Sequence, residues 1–584
     1  MTTASETGEV ADDPDDPPLR PRRPVVPALA AYLPAALIAA GGWAHRFTSE
    51  DACINFRVLD NLFAGNGPVF NAGERIEAGT SPLWIAVLGV GRLLFGWFLS
   101  IEWIAVGLCL VAAVAAFALA GRCARQMAPG PDAVAVPLGL VAVASVAVTW
   151  DYATSGLEMS LVWLWIAGCW WILCRAARGA PASGARRVAA GAVIGLAPLL
   201  RPDLGLMMVC ITVAWFAVVR PRRVAADLAA MFALPLAYQV FRMGYYASLV
   251  PSTALAKDAG SPHVHQGWAY LADLAGPYRL WLPVALMAVT IVLRLRAEGD
   301  RRARTVTLAM VAAALLHAGY IVAVGGDYMH GRLLLPAFFA LGLPAVAVVR
   351  RHAISSVAAE RRLPVPSVAA ERRLPVPTLA LCALAAVWAV AAVTSFRPPV
   401  PAPGLAQIAD WRVLVGARVT PAEVELWPTG IPADQIYDRG VRGYIRVLAA
   451  EPVPGRDPHA LVVALGSIGV PAYQLGTDVW VVDIGGLAEP LAARTDPVPG
   501  RPAGHRKQVD PAWYDARFGV VGDDPAARDA ARALRCGPVR DLLAAVDGPL
   551  TPGRFLSNIW HSPGYTRLEI PADPHEAVAR FCPR

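Results

Sequence analysis

The sequence predicts a polytopic α-helical membrane domain of about 11 transmembrane helices, followed by an extracytoplasmic α+β domain. Three observations carry that reading. Mean hydropathy is +0.46, and 17% of the 584 residues are charged while 56% are hydrophobic. Apolar runs of membrane-spanning length recur from residue 24 to residue 395. From residue 396 the composition turns to that of a soluble domain, opening on the Pro-rich RPPVPAPG.

In chain order, residues 1–23 form a disordered cytoplasmic N-terminus that ends in Arg20, Arg22 and Arg23. The apolar run behind them lacks an A-x-A cleavage site and many more runs follow, so it is a retained helix and not a signal peptide. Basic loops stay cytoplasmic. That rule puts Arg20–Arg23, Gly121–Gln126, Arg175–Arg187, Arg220–Arg223, Arg294–Arg304 and Arg350–Arg373 inside. It leaves outside residues 45–100, Trp150–Glu158, Leu200–Asp203, about Gln239–Tyr278, Gly325–Arg332, and everything after about 396. Spans then fall near 24–44, 101–120, 132–149, 159–174, 187–200, 204–219, 224–243, 278–296, 305–324, 333–349 and 378–395, so the membrane domain covers 24–395. Orientation in the bilayer accounts for the net charge of +7, and no nucleic-acid partner is expected.

Leu83–Leu99 is apolar, but counting it as a span would reverse every later loop, and Arg92 sits in its middle. It reads as a juxtamembrane or re-entrant helix bounding an outer-leaflet cavity, with an ordinary second span as the alternative. SVAAERRLPVP at 356–366 is repeated at once at 367–377, as slippage in a tolerant linker would produce. In the tail, 396–584, ALVVALGSIGVPAYQ and DVWVVDIGG alternate as strands do and DPAARDAARALRC reads as a helix. Cys536 and Cys582 are its sole cysteine pair, and an oxidising exterior favours joining them. No C-x-x-C or H-x-x-x-H spacing points to structural zinc, and no P-loop is visible.

The chemistry-bearing residues crowd the outward side. Glu50 and Asp51 follow the first span and open a stripe of Ile54, Phe56, Leu59, Leu62 and Phe63 that suits a helix lying on the membrane. A partly desolvated carboxylate there suits general-base or metal-binding work, although an acid at a helix start also serves as a solvated cap. Asn66, Asn71, Glu74, Arg75 and Glu77, beside Phe70 and Trp84, offer the planar amides, carboxylates and aromatic faces that bind sugar hydroxyls; a capped turn would use the same residues. Later loops add Glu158 and Asp327 to this sugar-binding set, and Arg201, Arg242, Tyr245, Lys257, His330 and Arg332 as groups that can hold a phosphate headgroup at an outer-leaflet cavity. Arg201 with Asp203 also fits a local ion pair, and His330 an ordinary interfacial histidine. A divalent cation, Mg, Mn or Ca, would serve the same phosphate. Trp411, Tyr473, Trp480, Trp513 and Trp560 are candidate stacking residues for sugar, most such aromatics being core.

The run EDACINFRVLDNLFAGNGPVFNAGERIEAGTSPLW resembles the AftB family, the terminal β-(1→2)-arabinofuranosyltransferases of mycobacteria and corynebacteria. So do DYATSGLE, RPDLGL, YQVFRMGYYASLVPSTALAKD, GGDYMHGRLLLP and GRFLSNIWH, in order from about residue 30 almost to the end. The resemblance implies a GT-C fold in the plasma membrane. It also implies transfer of arabinofuranose from decaprenylphosphoryl-arabinose to the ends of cell-wall arabinan, in arabinogalactan and lipoarabinomannan. The family's acid pair is Asp-Asp and this chain has Glu50-Asp51, so Asp51 takes the catalytic claim and the role of Glu50 is open. If donor and product are both β-linked, configuration is retained, and Asp51 is then a nucleophile or guides a front-face reaction. Two alternatives stand beside this: a GT-C transferase using another polyprenyl-phosphate sugar such as mannose, and a lipid-linked sugar transporter. Transporters place polar residues at mid-span in both halves, whereas here they crowd the outward loops, which favours an enzyme.

Overall fold

The computed structural model describes residues 25–127, 133–179, 183–220, 224–258, 261–350, 376–398, 408, 445–449, 461–498, 504, 506–518 and 521–582. The tandem repeat, save its last two residues, and Trp411 lie outside them. The first half runs through α1 (Val25–Ala44), α2 (Glu50–Phe63), α3 (Pro82–Phe95), α4 (Ile101–Arg125), β1 (Ala133–Val136), α5 (Leu138–Ala144), α6 (Ala147–Tyr152) and α7 (Met159–Ala177). It continues through α8 (Gly184–Gly195), α9 (Ala197–Leu200), α10 (Gly205–Val219) and α11 (Val224–Tyr246). Next come α12 (Ser252–Ala256), α13 (Val264–Ala275), α14 (Trp281–Ala297), α15 (Arg301–Val324), α16 (Leu335–Gly342), β2 (Ala347–Arg350) and α17 (Val376–Thr394). Helices α1, α4 and α7 pack side by side, as do α10 and α15. The rings of Phe117, Trp163 and Phe339 meet in their common core at centroid distances of 5.0–6.3 Å.

Six helices among the described residues are long and apolar enough to cross a membrane: Ile101–Arg125, Met159–Ala177, Pro202–Val219, Val224–Tyr246, Arg301–Val324 and Pro377–Thr394. Three expected spans are not single helices. Residues 132–149 begin as β1, paired antiparallel with β2, and become helical only after Pro137. Residues 187–200 break between α8 and α9, ahead of Pro198, and 333–349 end in β2. Hydropathy registers apolarity and not these breaks. At one of them two backbones touch, because a Cβ on Gly139 would stand 2.2 Å from the Gly342 carbonyl oxygen.

Helix α3 has 14 residues, about 21 Å, short of a hydrocarbon core of about 30 Å. Leu93 and Trp97 on and after it are 70% and 82% exposed, and Arg92 pairs with Asp60 at 2.5 Å. Helix α2 departs from the expectation of a surface-lying helix. Its residues Ala52–Leu59 are buried, because Phe56 and Leu59 pack into the core of the helical domain while the C-terminal module covers Ile54 and Val58; Leu62 and Phe63 are exposed at its end.

That module has a three-stranded sheet in the order β3 (Ile445–Ala449), β4 (Val462–Leu465), β5 (Trp480–Asp483), with β3 antiparallel and β5 parallel to β4. The short α18 (Val470–Gln474) links β4 to β5, and α19 (Pro511–Arg517), α20 (Pro525–Ala533), α21 (Gly537–Asp547), α22 (Pro552–Thr566) and α23 (Pro574–Phe581) follow. Four of these start with the same local chemistry. Asp510, Asp524, Thr551 and Asp573 each accept a backbone N–H of the first turn, and each precedes a proline whose missing N–H costs nothing there. Cys536 and Cys582 are joined, with their Cα atoms 5.1 Å apart, and tie the start of α21 to the end of α23.

Candidate active site

Asp51 is set by two loops that close over one another. Ser49 caps α2, its Oγ accepting from the Ala52 N–H at 3.3 Å, so Glu50 and Asp51 fall in the first turn. The loop after α15 turns back sharply because Gly325, Gly326 and Gly331 adopt φ of 93°, 71° and 65°, which side chains with a Cβ resist. It thereby delivers Tyr328 and Arg332 to Asp51. The Tyr328 hydroxyl donates to Oδ1 at 3.0 Å, and Arg332 Nη1 donates to Oδ2 at 3.3 Å.

Arg332 also binds Glu158 Oε1 at 3.3 Å and lies 3.8 Å from Asp327 Oδ2. The same Glu158 oxygen accepts from Arg201 at 3.1 Å; Arg201 reaches Asp203 at 2.9 Å, and Asp203 meets His317 at 2.8 Å. Burial alone would raise the Glu158 carboxyl, but Arg332 and Arg201 overcome it and hold the group below its ordinary value. Lys257 Nζ stands 3.6 Å from Asp327 Oδ1 and 5.6 Å from the Tyr328 ring centroid. The side chains of Asp51 and Lys257 keep 16% and 28% of their exposure, whereas those of Arg332, Glu158 and Asp327 keep 6% or less. Asp51 and Lys257 are thus the groups a ligand can reach, and the others hold them. Among the described residues no three His, Cys, Asp or Glu side chains are grouped to hold a metal.

Glu50 faces the other way. Its Oε1 accepts from the Ser467 hydroxyl and from the Gly469 N–H at 2.7 Å, in the loop after β4. A Cβ on Gly469 would fall 2.1 Å from the Glu50 carbonyl oxygen, so only glycine permits this approach. Burial, with the negative charge of Asp51 next, pushes the Glu50 carboxyl from 4.5 up to about 7. A pair of adjacent acids is therefore split: Asp51 lies between a guanidinium and a phenol, and Glu50 is a weakened acid at the domain seam. Because the folded state holds the Glu50 proton more tightly, this stabilisation is full below pH 4.5 and is lost as pH rises through about 7. Glu50→Gln should flatten that dependence, so that between about pH 5 and pH 8 the melting temperature of the wild type falls by several degrees more than that of the variant. Parallel pH profiles would contradict the assignment.

Most of the expected sugar-binding residues of residues 66–84 turn out to be occupied. Asn71 behaves as one more strand residue, its Nδ2 donating to the Val481 carbonyl at 2.9 Å and its Oδ1 accepting from the Val481 N–H at 3.0 Å. Glu74 receives Arg517 at 2.5 Å, and Arg75 donates to the Ala545 carbonyl at 2.8 Å. Glu77 is clamped by Arg242 at 2.5 and 3.0 Å and by the Tyr238 hydroxyl at 2.7 Å. Trp84 is 1% exposed and donates to the Gly156 carbonyl. Asn66 alone of this group is exposed. Asn71, Glu74, Arg75, Glu77 and Trp84 thus make their hydrogen bonds within the protein, three of the five to the C-terminal module, which agrees with the capped-turn alternative for this stretch.

Two residues at this seam were not expected. Arg57, 1% exposed, donates to the carbonyls of Phe70, Ala472, Gly476 and Val479 at 2.5–2.9 Å. Arg517 gathers Glu74, Glu489 and Asp547. A lone arginine inside the apolar stripe of α2 was the available signal for Arg57; nothing local marked Arg517. Of the donor-side expectations, His330 lies off the cluster on Asp273 at 2.6 Å, and Tyr245 stacks on Phe241 at 5.0 Å. Of the stacking candidates, Trp480 and Trp513 are buried, Tyr473 is half-buried and bonds Glu102 at 3.0 Å, and Trp560 on α22 is 82% exposed.

A reachable carboxylate backed by buried cations lies at the ends of membrane-length helices and under a C-terminal module, an arrangement suited to an integral-membrane enzyme. Comparison with known proteins says which kind. Residues 450–580 match the AftB family C-terminal domain. The chain is 31% identical to a terminal β-(1→2)-arabinofuranosyltransferase of Mycobacterium tuberculosis over 626 aligned residues, 94% of this chain and 96% of that one. It is 30% identical to a terminal β-(1→2)-arabinofuranosyltransferase of Corynebacterium glutamicum, over 93% of this chain and 86% of that one. The chain belongs to the terminal β-(1→2)-arabinofuranosyltransferase family. No solved structure matches it.

Proposed function

We propose that this chain is a multi-pass plasma-membrane enzyme that adds terminal β-(1→2)-linked arabinofuranose, taken from a polyprenyl-phosphate donor, to cell-wall arabinan. Asp51 is its central catalytic group. The observation that carries the reading is the Asp51–Arg332–Glu158–Arg201 chain, which draws residues from four separate connections to one point. In this topology about eleven segments cross the bilayer beside the juxtamembrane or re-entrant α3, the N-terminus is cytoplasmic, and Asp51 and the C-terminal module face outward.

The donor's lipid requires an apolar surface on the helical domain. A groove of about 410 Å³ runs along α2, α3 and α11, lined by Leu62, Phe63, Ile85, Leu93 and Phe241, with Glu77 at its polar edge. Lys257 and Arg332 meet the charge that the phosphate gains as it leaves, and Asp51 faces the sugar. A divalent cation, if one takes part, would be held by Asp51 together with substrate oxygens and would offset the charge that the phosphate gains. Trp560 is the exposed ring available to stack on acceptor. Offering the purified enzyme matched arabinosyl and mannosyl polyprenyl phosphates with an arabinan oligosaccharide should give arabinose transfer at least about tenfold faster than mannose transfer, a preference a differing hydroxyl set can supply. Transfer of mannose alone would overturn the donor assignment.

A further inference from the structure

The helices that carry the Asp51 cluster at one end carry arginines at the other. Helix α7 starts beside Glu158 and has Arg175 in its last turn. Helix α15 runs from Arg301 toward the Asp327 loop over 24 residues, about 36 Å. At the arginine end these helices, with α8 and α10, border an open cavity of about 640 Å³ lined by Trp171, Arg175, Arg186, Arg187, Trp215 and Arg302. No acidic side chain is among its described lining residues, and Val193 and Val218 extend an apolar wall.

Two of these cations are already engaged: Arg187 pairs with Asp227 at 2.5 Å, and Arg175 lies over the Trp171 ring at 5.0 Å. Arg186 and Arg302 are exposed and have no carboxylate partner among the described residues. Trp215 is 2% exposed, yet its indole N–H finds no acceptor among the described residues, and neither does Arg187 Nε. A buried donor without an acceptor is costly, and an incoming oxygen would relieve it. Guanidinium groups are suited to phosphate, and tryptophan and valine to hydrocarbon.

We propose that this cavity binds one anionic phospholipid from the leaflet opposite Asp51. Its phosphate is met by Arg186 and Arg302, its oxygens satisfy the Trp215 and Arg187 donors, and an acyl chain lies along Trp171, Val193 and Val218. A free phosphate ion would leave that apolar wall uncovered, so the lipid is the better fit.

The test is native mass spectrometry of the full chain released from nanodiscs of phosphatidylcholine doped with phosphatidylglycerol. The wild type should retain one phosphatidylglycerol and no phosphatidylcholine. The surface pair Arg186→Gln/Arg302→Gln should lower that retention about thirtyfold, each basic residue near a headgroup contributing about a factor of five. Trp215→Phe, which keeps the ring and removes the N–H, should also lower it, while both variants melt with the wild type in phosphatidylcholine alone. Equal retention of the two lipids, undiminished retention by both variants, or thermal protection by inorganic phosphate equal to that by phosphatidylglycerol would overturn the proposal.

Discussion

Asp51→Asn should give a folded, membrane-inserted protein that transfers arabinofuranose at least about 10²-fold more slowly than the wild type, the usual contribution of a positioned carboxylate. The change keeps the shape of the side chain and an oxygen that can accept from Tyr328, now at 3.0 Å. Arg332 retains Glu158 at 3.3 Å and Asp327 at 3.8 Å, so the cluster beneath does not collapse into an unpaired charge. What is lost is the negative charge at the most exposed carboxylate of that cluster. Initial rates with a polyprenyl-phosphate donor, measured beside the melting temperature, check this. Near-normal turnover in a variant that melts with the wild type would remove Asp51 from the chemistry, whatever the donor.

Arg517→Met should be the most destabilising single change at the seam, at about 3–5 kcal/mol, because it leaves buried carboxylates without their cation. The Arg517 side chain is 4% exposed and meets Glu74 at 2.5 Å, Asp547 at 3.1 Å and also Glu489. Burial already raises the Glu489 carboxyl despite Arg517, so removing the cation would push it to take a proton. Glu74→Gln in the same chain should recover part of the loss, since one of the stranded charges is then absent. Thermal unfolding of the single and double variants measures both effects. A cost below about 1 kcal/mol would mean that the seam is held by its other contacts, Arg57 foremost.

The sequence made legible what depends on local chemistry. The start of α2, the short α3, strands β4 and β5, the helix at Pro525–Ala533 and the Cys536–Cys582 pairing follow from periodicity, alternation and composition, although VPAYQ, read as part of the first strand stretch, is the helix α18. The outward loops were also read as one group, and Asp51, Glu158, Arg201, Asp327 and Arg332 do converge. Hidden from the sequence were partners hundreds of residues away. Asn71 and Glu74 look like sugar ligands because the same amides and carboxylates that hold hydroxyls also hold Val481 and Arg517. Arg57 finds its acceptors at Ala472, Gly476 and Val479, more than 400 residues on. Breaks at Pro137 and between α8 and α9 are steric events inside uniformly apolar stretches, where hydropathy has no contrast to report.

All of this requires that Asp51 and the C-terminal module share the outer face of the membrane, with the arginine-lined cavity on the inner one. Single cysteines replacing the exposed Asn66, Ser557 and Arg302 report it directly through a membrane-impermeant maleimide applied to intact cells. Positions 66 and 557 should label at once, and position 302 only after the membrane is opened. Labelling of 302 from outside, or protection of 66 or 557, would place the acid pair on the wrong side of the bilayer for a wall polymer and contradict the account.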